Sequence, residues 1–229
     1  MIFPLNTTGL DSLRINPARS IEDPVIGRRY RTPEGKLYPS VTTVLGDDPE
    51  KEKGLQKWRD RVGEEYAKNY TLRAGTRGSR IHKMMEEYIL DGKKPSFAIP
   101  TTMLTFKQLQ GEVDAHLKEV RGVELPLYSD KLRLGGRLDL FAVWDEYQAI
   151  VDFKSSVKQK LESYIKGYFL QTTAYSLMLE ERTGYAAKKI VVLIAVDQEF
   201  APQVFIKDRS EYVDELLELV EKYHKEHNT

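Results

Sequence analysis

The 229-residue sequence predicts an α/β fold in which helices flank a central β-sheet, with further helices on its N-terminal side. Three observations predict it. Two apolar runs, LDLFAVW at 138–144 and AIVDFK at 149–154, lie either side of the polar link Asp145-Glu146 and read as an antiparallel hairpin. A helical pattern follows from Lys158 to Arg182, stopped by Gly184, and leads into the most β-rich run of the chain, Lys189–Val196. Apolar residues at helical spacing also recur before residue 120 and after residue 210.

Taken in order, residues 1–25 lack periodicity and are expected to form an extended arm or irregular cover. Gly27–Tyr38 reads as a small hairpin, because Thr32-Pro33-Glu34-Gly35 puts Pro and Gly where a type I turn favours them. A short helix begins at Pro39-Ser40 with Ser40 as N-cap. Leu55, Trp58, Val62 and Tyr66 at helical spacing predict an inner face for the next segment. A second helix is expected over Arg77–Leu90, buried through Ile81, Met84, Met85 and Tyr88, with Gly75 and Gly78 just upstream permitting close approach. A third, Thr102 to Val120, buries Leu109, Val113, Leu117 and Val120. Val123–Tyr128 is read as a strand leading into the hairpin, and Gln203–Ile206 as an edge strand. The C-terminal helix turns Val213, Leu216, Leu217, Val220 and Tyr223 inward.

This layout reads as one domain: arm and hairpin over 1–37, a mainly helical region over 38–120, a sheet core with a crossing helix over 121–207, and a terminal helix over 208–229. The formal net charge is zero, so any case for a polyanionic partner must be local. One local excess exists: Lys51–Lys83 carries ten Lys/Arg against four Asp/Glu, a surplus of six, which suits phosphate tracking if a reactive site lies beside it. The absence of Cys excludes disulfides, thiolate zinc sites and iron–sulfur clusters. No apolar run approaches the roughly 20 residues needed to span a bilayer. The N-terminus lacks a signal layout, and Asp11, Glu22 and Asp23 argue against a transit peptide. The expectation is an intracellular protein without a membrane partner, in the cytoplasm of a bacterial or phage-infected cell rather than a mitochondrion.

The hairpin carries the chemistry. A turn centred between 145 and 146 sets Asp139 opposite Asp152, and such pairs have Cβ atoms roughly 4.5–5.5 Å apart. Two carboxylates that close repel unless a proton or cation intervenes. Lys154 shares the face of Asp152 through the period of two. Charged hairpins are common on surfaces, but here each acid interrupts an apolar run: Leu138, Leu140 and Phe141 around one, Ile150, Val151 and Phe153 around the other. Gly135-Gly136, just before, offers a backbone that something large can approach. His82 and Glu86 share one helix face, as do Gln171 and Tyr175; a buried Gln171 needs hydrogen-bond partners.

Asp139 in GGRLDLF, Asp152 and Lys154 in VDFKSS, His82 in RGSRIHKMMEEYI, and Gln171 with Tyr175 in LQTTAYSLM form an ordered set. The set resembles the PD-(D/E)XK nuclease superfamily, in the branch of the RecB nuclease domain and lambda exonuclease. YPSVTTVLG and LQKWRDRVGEEYA look like the mitochondrial genome maintenance exonuclease family and its bacteriophage relatives. The resemblance runs from about Tyr38 to about Val196. It implies a restriction-endonuclease-like core with a mixed sheet, and hydrolysis of DNA phosphodiesters with Mg²⁺ or Mn²⁺. By it, Asp139, Asp152, His82 and the Phe153 main-chain carbonyl are metal ligands, with Glu124 a further ligand candidate. Lys154 orients or deprotonates the attacking water, Gln171 and Tyr175 hold the substrate or Lys154, and Arg77, Arg80 and Ser155 contact phosphates. Single-stranded DNA cut from an end is the implied substrate, its end threaded through a helical arch, with a replication or recombination protein as a partner. A double-strand exonuclease, a structure-selective endonuclease and a catalytically silent DNA-binding or assembly protein are the alternatives. A nucleotide-binding phosphate loop is excluded, since no GxxxxGK[ST] follows a strand.

Overall fold

The computed structural model of the chain describes residues 3–11, 13, 17–23, 27–95 and 99–227. Its centre is a mixed five-stranded sheet in the order β4 (Leu117–Ser129), β5 (Leu134–Trp144), β6 (Tyr147–Ser156), β7 (Lys189–Val196) and β8 (Gln203–Asp208). All neighbours are antiparallel except β6 and β7, whose parallel pairing requires a crossover. The crossover contains a helix, Lys166–Thr183, ended by Gly184 at φ +77°.

Helices cover both faces. On one side the crossover helix, the short helix Val41–Gly46 and the C-terminal helix Val213–His227 bury Phe169, Met178, Val44 and Leu216 against Phe141, Ile150 and Val192. On the other, helices Glu64–Asp91 and Pro100–His116 bury Ile81, Met85, Phe106 and Leu109 against Leu140, Val151 and Leu193. With Pro49–Val62, the α-helices among the described residues are α1 (41–46), α2 (49–62), α3 (64–91), α4 (100–116), α5 (166–183) and α6 (213–227). No helix among the described residues is long and apolar enough to cross a membrane.

The turn and the helix cap read from sequence form where expected. Gly35 N–H donates to the Thr32 carbonyl at 2.9 Å, and the Ser40 hydroxyl caps α1 by accepting Thr43 N–H at 2.9 Å. Other boundaries move. The second helix begins at Glu64 rather than Arg77, so Gly75 and Gly78 lie inside it and face open space. Leu117 and Val120 belong to β4 rather than a third helix; both are buried, and burial alone does not distinguish a helix from a strand. The helix expected from Lys158 starts at Lys166, after an irregular stretch and a short 3₁₀ turn. Leu217 is 44% exposed, with His224 buried in its stead. The expected inner face of Leu55, Trp58, Val62 and Tyr66 does not form. Gly63 at φ +87° breaks the helix between Val62 and Tyr66, and α2 buries no residue. Among its described residues the N-terminal arm does cover an edge: Leu5 bridges Val120 of β4, but Arg19–Asp23 forms an unforeseen strand, β1. Residues 1–2, 12, 14–16 and 24–25 of that arm lie outside the described residues.

β1 pairs with β2 (Gly27–Arg31), which pairs with β3 (Leu37–Pro39), making a second small sheet. Asp130 helps pin it to the core, taking Lys36 Nζ and Tyr38 Oη at 2.7 Å each and Arg182 Nη2 at 3.0 Å. The Lys36 and Tyr38 hydrogen bonds hold the Asp130 carboxyl down to about 2. Gly135 is the other fixture. Its backbone bridges Ser40, and a Cβ there would lie 2.2 Å from Tyr30 Cβ, far inside contact distance. Gly135→Ala should destabilise the protein by ~1–3 kcal/mol, as overpacking does; an unchanged urea midpoint would show that the small sheet yields freely.

Candidate active site

The site opens where β5 and β6 part. Their ladder runs from Trp144↔Tyr147 to Leu140↔Val151 and ends there. Asp139 and Asp152, expected as the next opposed pair, are not paired by the backbone. Instead Asp139 Oδ2 accepts Phe153 N–H at 2.8 Å. A carboxylate is a stronger acceptor than a carbonyl, so it replaces the ladder bond and lets the strands diverge. The facing pattern breaks at the same place: Leu138 and Phe141, three apart, both pack into the core under α5.

Around this gap four elements converge. From α3, His82 Nε2 lies 2.9 Å from the Phe153 carbonyl and Nδ1 lies 3.3 Å from Asp139 Oδ1. From β4, Glu124 brings Oε1 to 3.8 Å from His82 Nδ1. Glu124 holds φ at +49°, a left-handed conformation that non-glycine residues avoid and that clusters at functional sites. From β6, Lys154 Nζ meets Asp152 Oδ2 at 2.5 Å and sits 5.3 Å from the centre of the Tyr168 ring. From α5, Gln171 Nε2 donates to Asp152 Oδ1 at 3.2 Å and to Tyr175 Oη at 3.3 Å. Tyr175 reaches the site across Gly136, where a Cβ would lie 2.5 Å from its ring. The large groups approaching the two glycines are thus Tyr30 and Tyr175.

Burial sets the protonation. Asp152 is 1% exposed; burial, opposed by the Lys154 ammonium and aided by the Asp139 charge, raises its carboxyl to about 6. Burial also works against ionised Asp139, but the hydrogen bond and charge of His82 outweigh it and hold that carboxyl below its ordinary value. Desolvation likewise disfavours charged His82, yet hydrogen bonds to Asp139 and Glu124 prevail and lift the imidazole to about 10. Lys154 loses to desolvation but gains more from Asp152 and Asp139, so its ammonium is favoured. At neutral pH the imidazolium and ammonium therefore balance the buried acids.

A cleft of about 550 Å³ leads to this cluster. His82, Glu124, Asp139, Gln171 and Tyr175 line it, and Arg28, Lys83 and Arg137 add positive charge to its walls. Sequence reading missed those three. Arg137 had a signal, since the period of two puts it on the strand face of Asp139. Arg28 had none, because it arrives from the separate small sheet. Of the expected phosphate contacts, Arg77 is committed elsewhere: two hydrogen bonds, 2.8 and 2.6 Å, tie its guanidinium to Asp197. Arg80 is exposed on α3 and Ser155 half-buried on β6, and neither lines the cleft.

No protein-family model matches the chain. Curated relatives do. The human protein Mitochondrial genome maintenance exonuclease 1 is 28% identical over 197 residues, covering 79% of this chain and 56% of the human protein. Its Xenopus tropicalis counterpart is 28% identical over 159 residues, 64% of this chain and 44% of the frog protein. The chain is similar to these exonucleases. It spans about half their length. Among solved structures, a phage-related exonuclease from Haemophilus somnus overlaps 63% of this chain and 79% of its own, at 12% identity and a TM-score of 0.34. That overlap is too loose to carry a site across.

The residues present in the site fit a hard divalent cation. His82, Glu124 and Asp139 each offer a ligand atom, all within 4.8 Å of one another, a spread that one ion can bridge. Two of the three donors are carboxylates, the ligand type that hard cations take. His82 as imidazolium bridges Asp139 and the Phe153 carbonyl, placing positive charge where a cation would otherwise supply it.

Proposed function

We propose that this chain hydrolyses DNA phosphodiester bonds with Mg²⁺ or Mn²⁺ and acts on single-stranded ends. The observation that carries the reading is the convergence of His82, Asp139, Asp152 and Lys154 on one gap between β5 and β6. Its sequence relatives are named exonucleases, which supports cutting from an end. Asp139, Asp152, His82 and the Phe153 carbonyl would hold the cation, with Glu124 beside them. A bound cation supplies Lewis acidity and lowers the pKa of water. Lys154, an ammonium at neutral pH, donates hydrogen bonds that orient the attacking water and offset charge on the phosphoryl oxygens. Gln171 holds Asp152 in place, and Tyr175 holds Gln171. Arg137, only 3.6 Å from Glu124, meets the substrate phosphates in the cleft rather than Arg77, while Arg28 is held by Glu22 at 2.7 Å. Such a protein would work inside a bacterial or phage-infected cell beside replication or recombination proteins.

Digestion of 5′- and 3′-labelled oligonucleotides, single- and double-stranded, with and without chelator, tests this directly. The expected result is metal-dependent loss of single-stranded ends. Preferential loss of duplex would transfer the reading to a double-strand exonuclease, and cutting of circles to an endonuclease. No cleavage at all would favour a DNA-binding protein without catalysis. Arg137→Ala should raise KM for oligonucleotides roughly tenfold, the scale of one hydrogen bond to a charged group, with kcat little changed. A fall confined to kcat would place Arg137 in the chemistry instead.

A further inference from the structure

The loop after β7, residues 197–202, is braced from three sides. Buried Gln108 of α4 donates Nε2 to the Val196 and Glu199 carbonyls at 2.8 and 2.7 Å, and accepts Val196 N–H on Oε1 at 2.9 Å. Arg77 of α3 grips Asp197, and Asp197 N–H donates to the Ser156 carbonyl at 3.0 Å. Gln198 follows at φ +65°, a conformation that persists in a non-glycine residue only where the surroundings over-determine it. What this bracing displays is Phe200, 97% exposed. A bare apolar side chain on a slack loop would need no explanation. One at the tip of a braced loop is arranged for contact, because a group already fixed loses little entropy on binding.

Position and charge say what the contact is. β6 and β7 are the parallel pair, and ligands of α/β sheets bind outside the carboxyl ends of such strands. The 197–202 loop leaves that end of β7, and residues 157–161 leave that end of β6, three positions past Lys154. The two loops are stitched together. Gln159 Nε2 donates to Glu199 Oε1 at 3.2 Å, Lys160 N–H to Gln203 Oε1 at 2.7 Å, and Gln203 Nε2 to the Lys160 carbonyl at 2.9 Å. Val157 and Leu161 are 52% and 65% exposed. Lys158 and Lys160 are exposed beside them, and neither ammonium has an ion pair among the described residues. The nearby Glu162 is neutralised by Lys207 at 2.6 Å, and among the described residues the Glu199 carboxylate accepts from Gln159 alone, so the two ammoniums outnumber one acid. An aromatic face beside two available cations suits a polyanion that carries flat apolar rings. Unpaired nucleotides are that; a duplex hides its base faces, and an acidic peptide has no base to stack.

We propose that these two loops form a landing for single-stranded DNA outside the cleft, one base stacking on Phe200 while Lys158 and Lys160 meet phosphates. The identity of the polyanion as DNA rests on the nuclease reading above. The full chain carrying Asp152→Asn, expected to hold DNA without cutting it, serves as parent for anisotropy titrations with fluorescein-labelled oligothymidylate. Phe200→Ala should weaken binding roughly tenfold, the scale of one stacked base. Phe200→Trp should bind as the parent does, and Phe200→Leu as the alanine variant does. Lys158→Gln with Lys160→Gln should flatten the salt dependence by about 0.7 per lysine. Phe200 supports no packing, so these variants fold. If the parent binds and Phe200→Ala binds equally well, the landing is wrong while the nuclease reading stands, and the loop is left to a protein partner. A Leu variant as tight as the parent would overturn stacking. No binding by the parent sinks the nuclease reading, and the landing with it.

Discussion

Asp139→Asn is expected to remove nuclease activity, by roughly 10³-fold or more, since a lost cation ligand forfeits several kcal/mol of charge stabilisation and each 1.36 kcal/mol is tenfold in rate. The substitution is chosen to spare the fold. An amide oxygen can still accept Phe153 N–H, the bond that separates β5 from β6. The variant should therefore fold, though it gives up part of the stabilisation that charged His82 draws from Asp139 near neutral pH, and it should lose the thermal stabilisation that Mn²⁺ gives the parent. Lys154→Met should separate the roles differently. Removing the ammonium costs turnover roughly 10²–10³-fold, as loss of an electrostatic donor does. It also removes a like charge beside the cation, so Mn²⁺ should bind the variant at least as tightly as the parent. Retained activity in Asp139→Asn, or weaker Mn²⁺ binding in Lys154→Met, would contradict these assignments.

The second large effect is on pH. His82 is raised to about 10 in the folded chain from an ordinary 6.5. Its contribution to stability is complete below about 6.5 and is lost as pH rises through 10. Asp152, raised to about 6 from 3.8, acts in the same direction: its contribution is complete below 3.8 and gone above about 6. In chelator, the parent should thus lose more stability between pH 6.5 and 10 than His82→Gln does, read as melting temperature against pH. Metal reverses the slope. A ligating imidazole must be neutral and a ligating carboxylate ionised, so the shift in melting temperature on adding Mn²⁺ should grow from about pH 6 to about pH 9. A shift independent of pH would show that His82 and Asp152 do not exchange protons for the ion.

Much of this was legible without coordinates because it rests on short-range periodicity. The register of the β5–β6 hairpin follows from two apolar runs and a two-residue link, and Leu140↔Val151 and Phe141↔Ile150 pair as a turn at 145–146 requires. Lys189–Val196 matches its strand residue for residue, since seven consecutive apolar residues, five of them β-branched, have few alternatives. Gln171, read as a buried amide needing partners, has them in Asp152 and Tyr175.

What the sequence by itself determined is which residues share a strand face or a helix face, because spacing along one element decides that. What only the tertiary structure decided is which elements meet. Arg28 enters the cleft from a separate sheet, Arg77 is withdrawn to Asp197 120 residues away, and Glu124 turns into the site through a left-handed backbone. The parting of β5 and β6 at Asp139 belongs there too: a carboxylate competing with a carbonyl for one N–H is a contest between neighbours in space, and no pattern along the chain records its outcome.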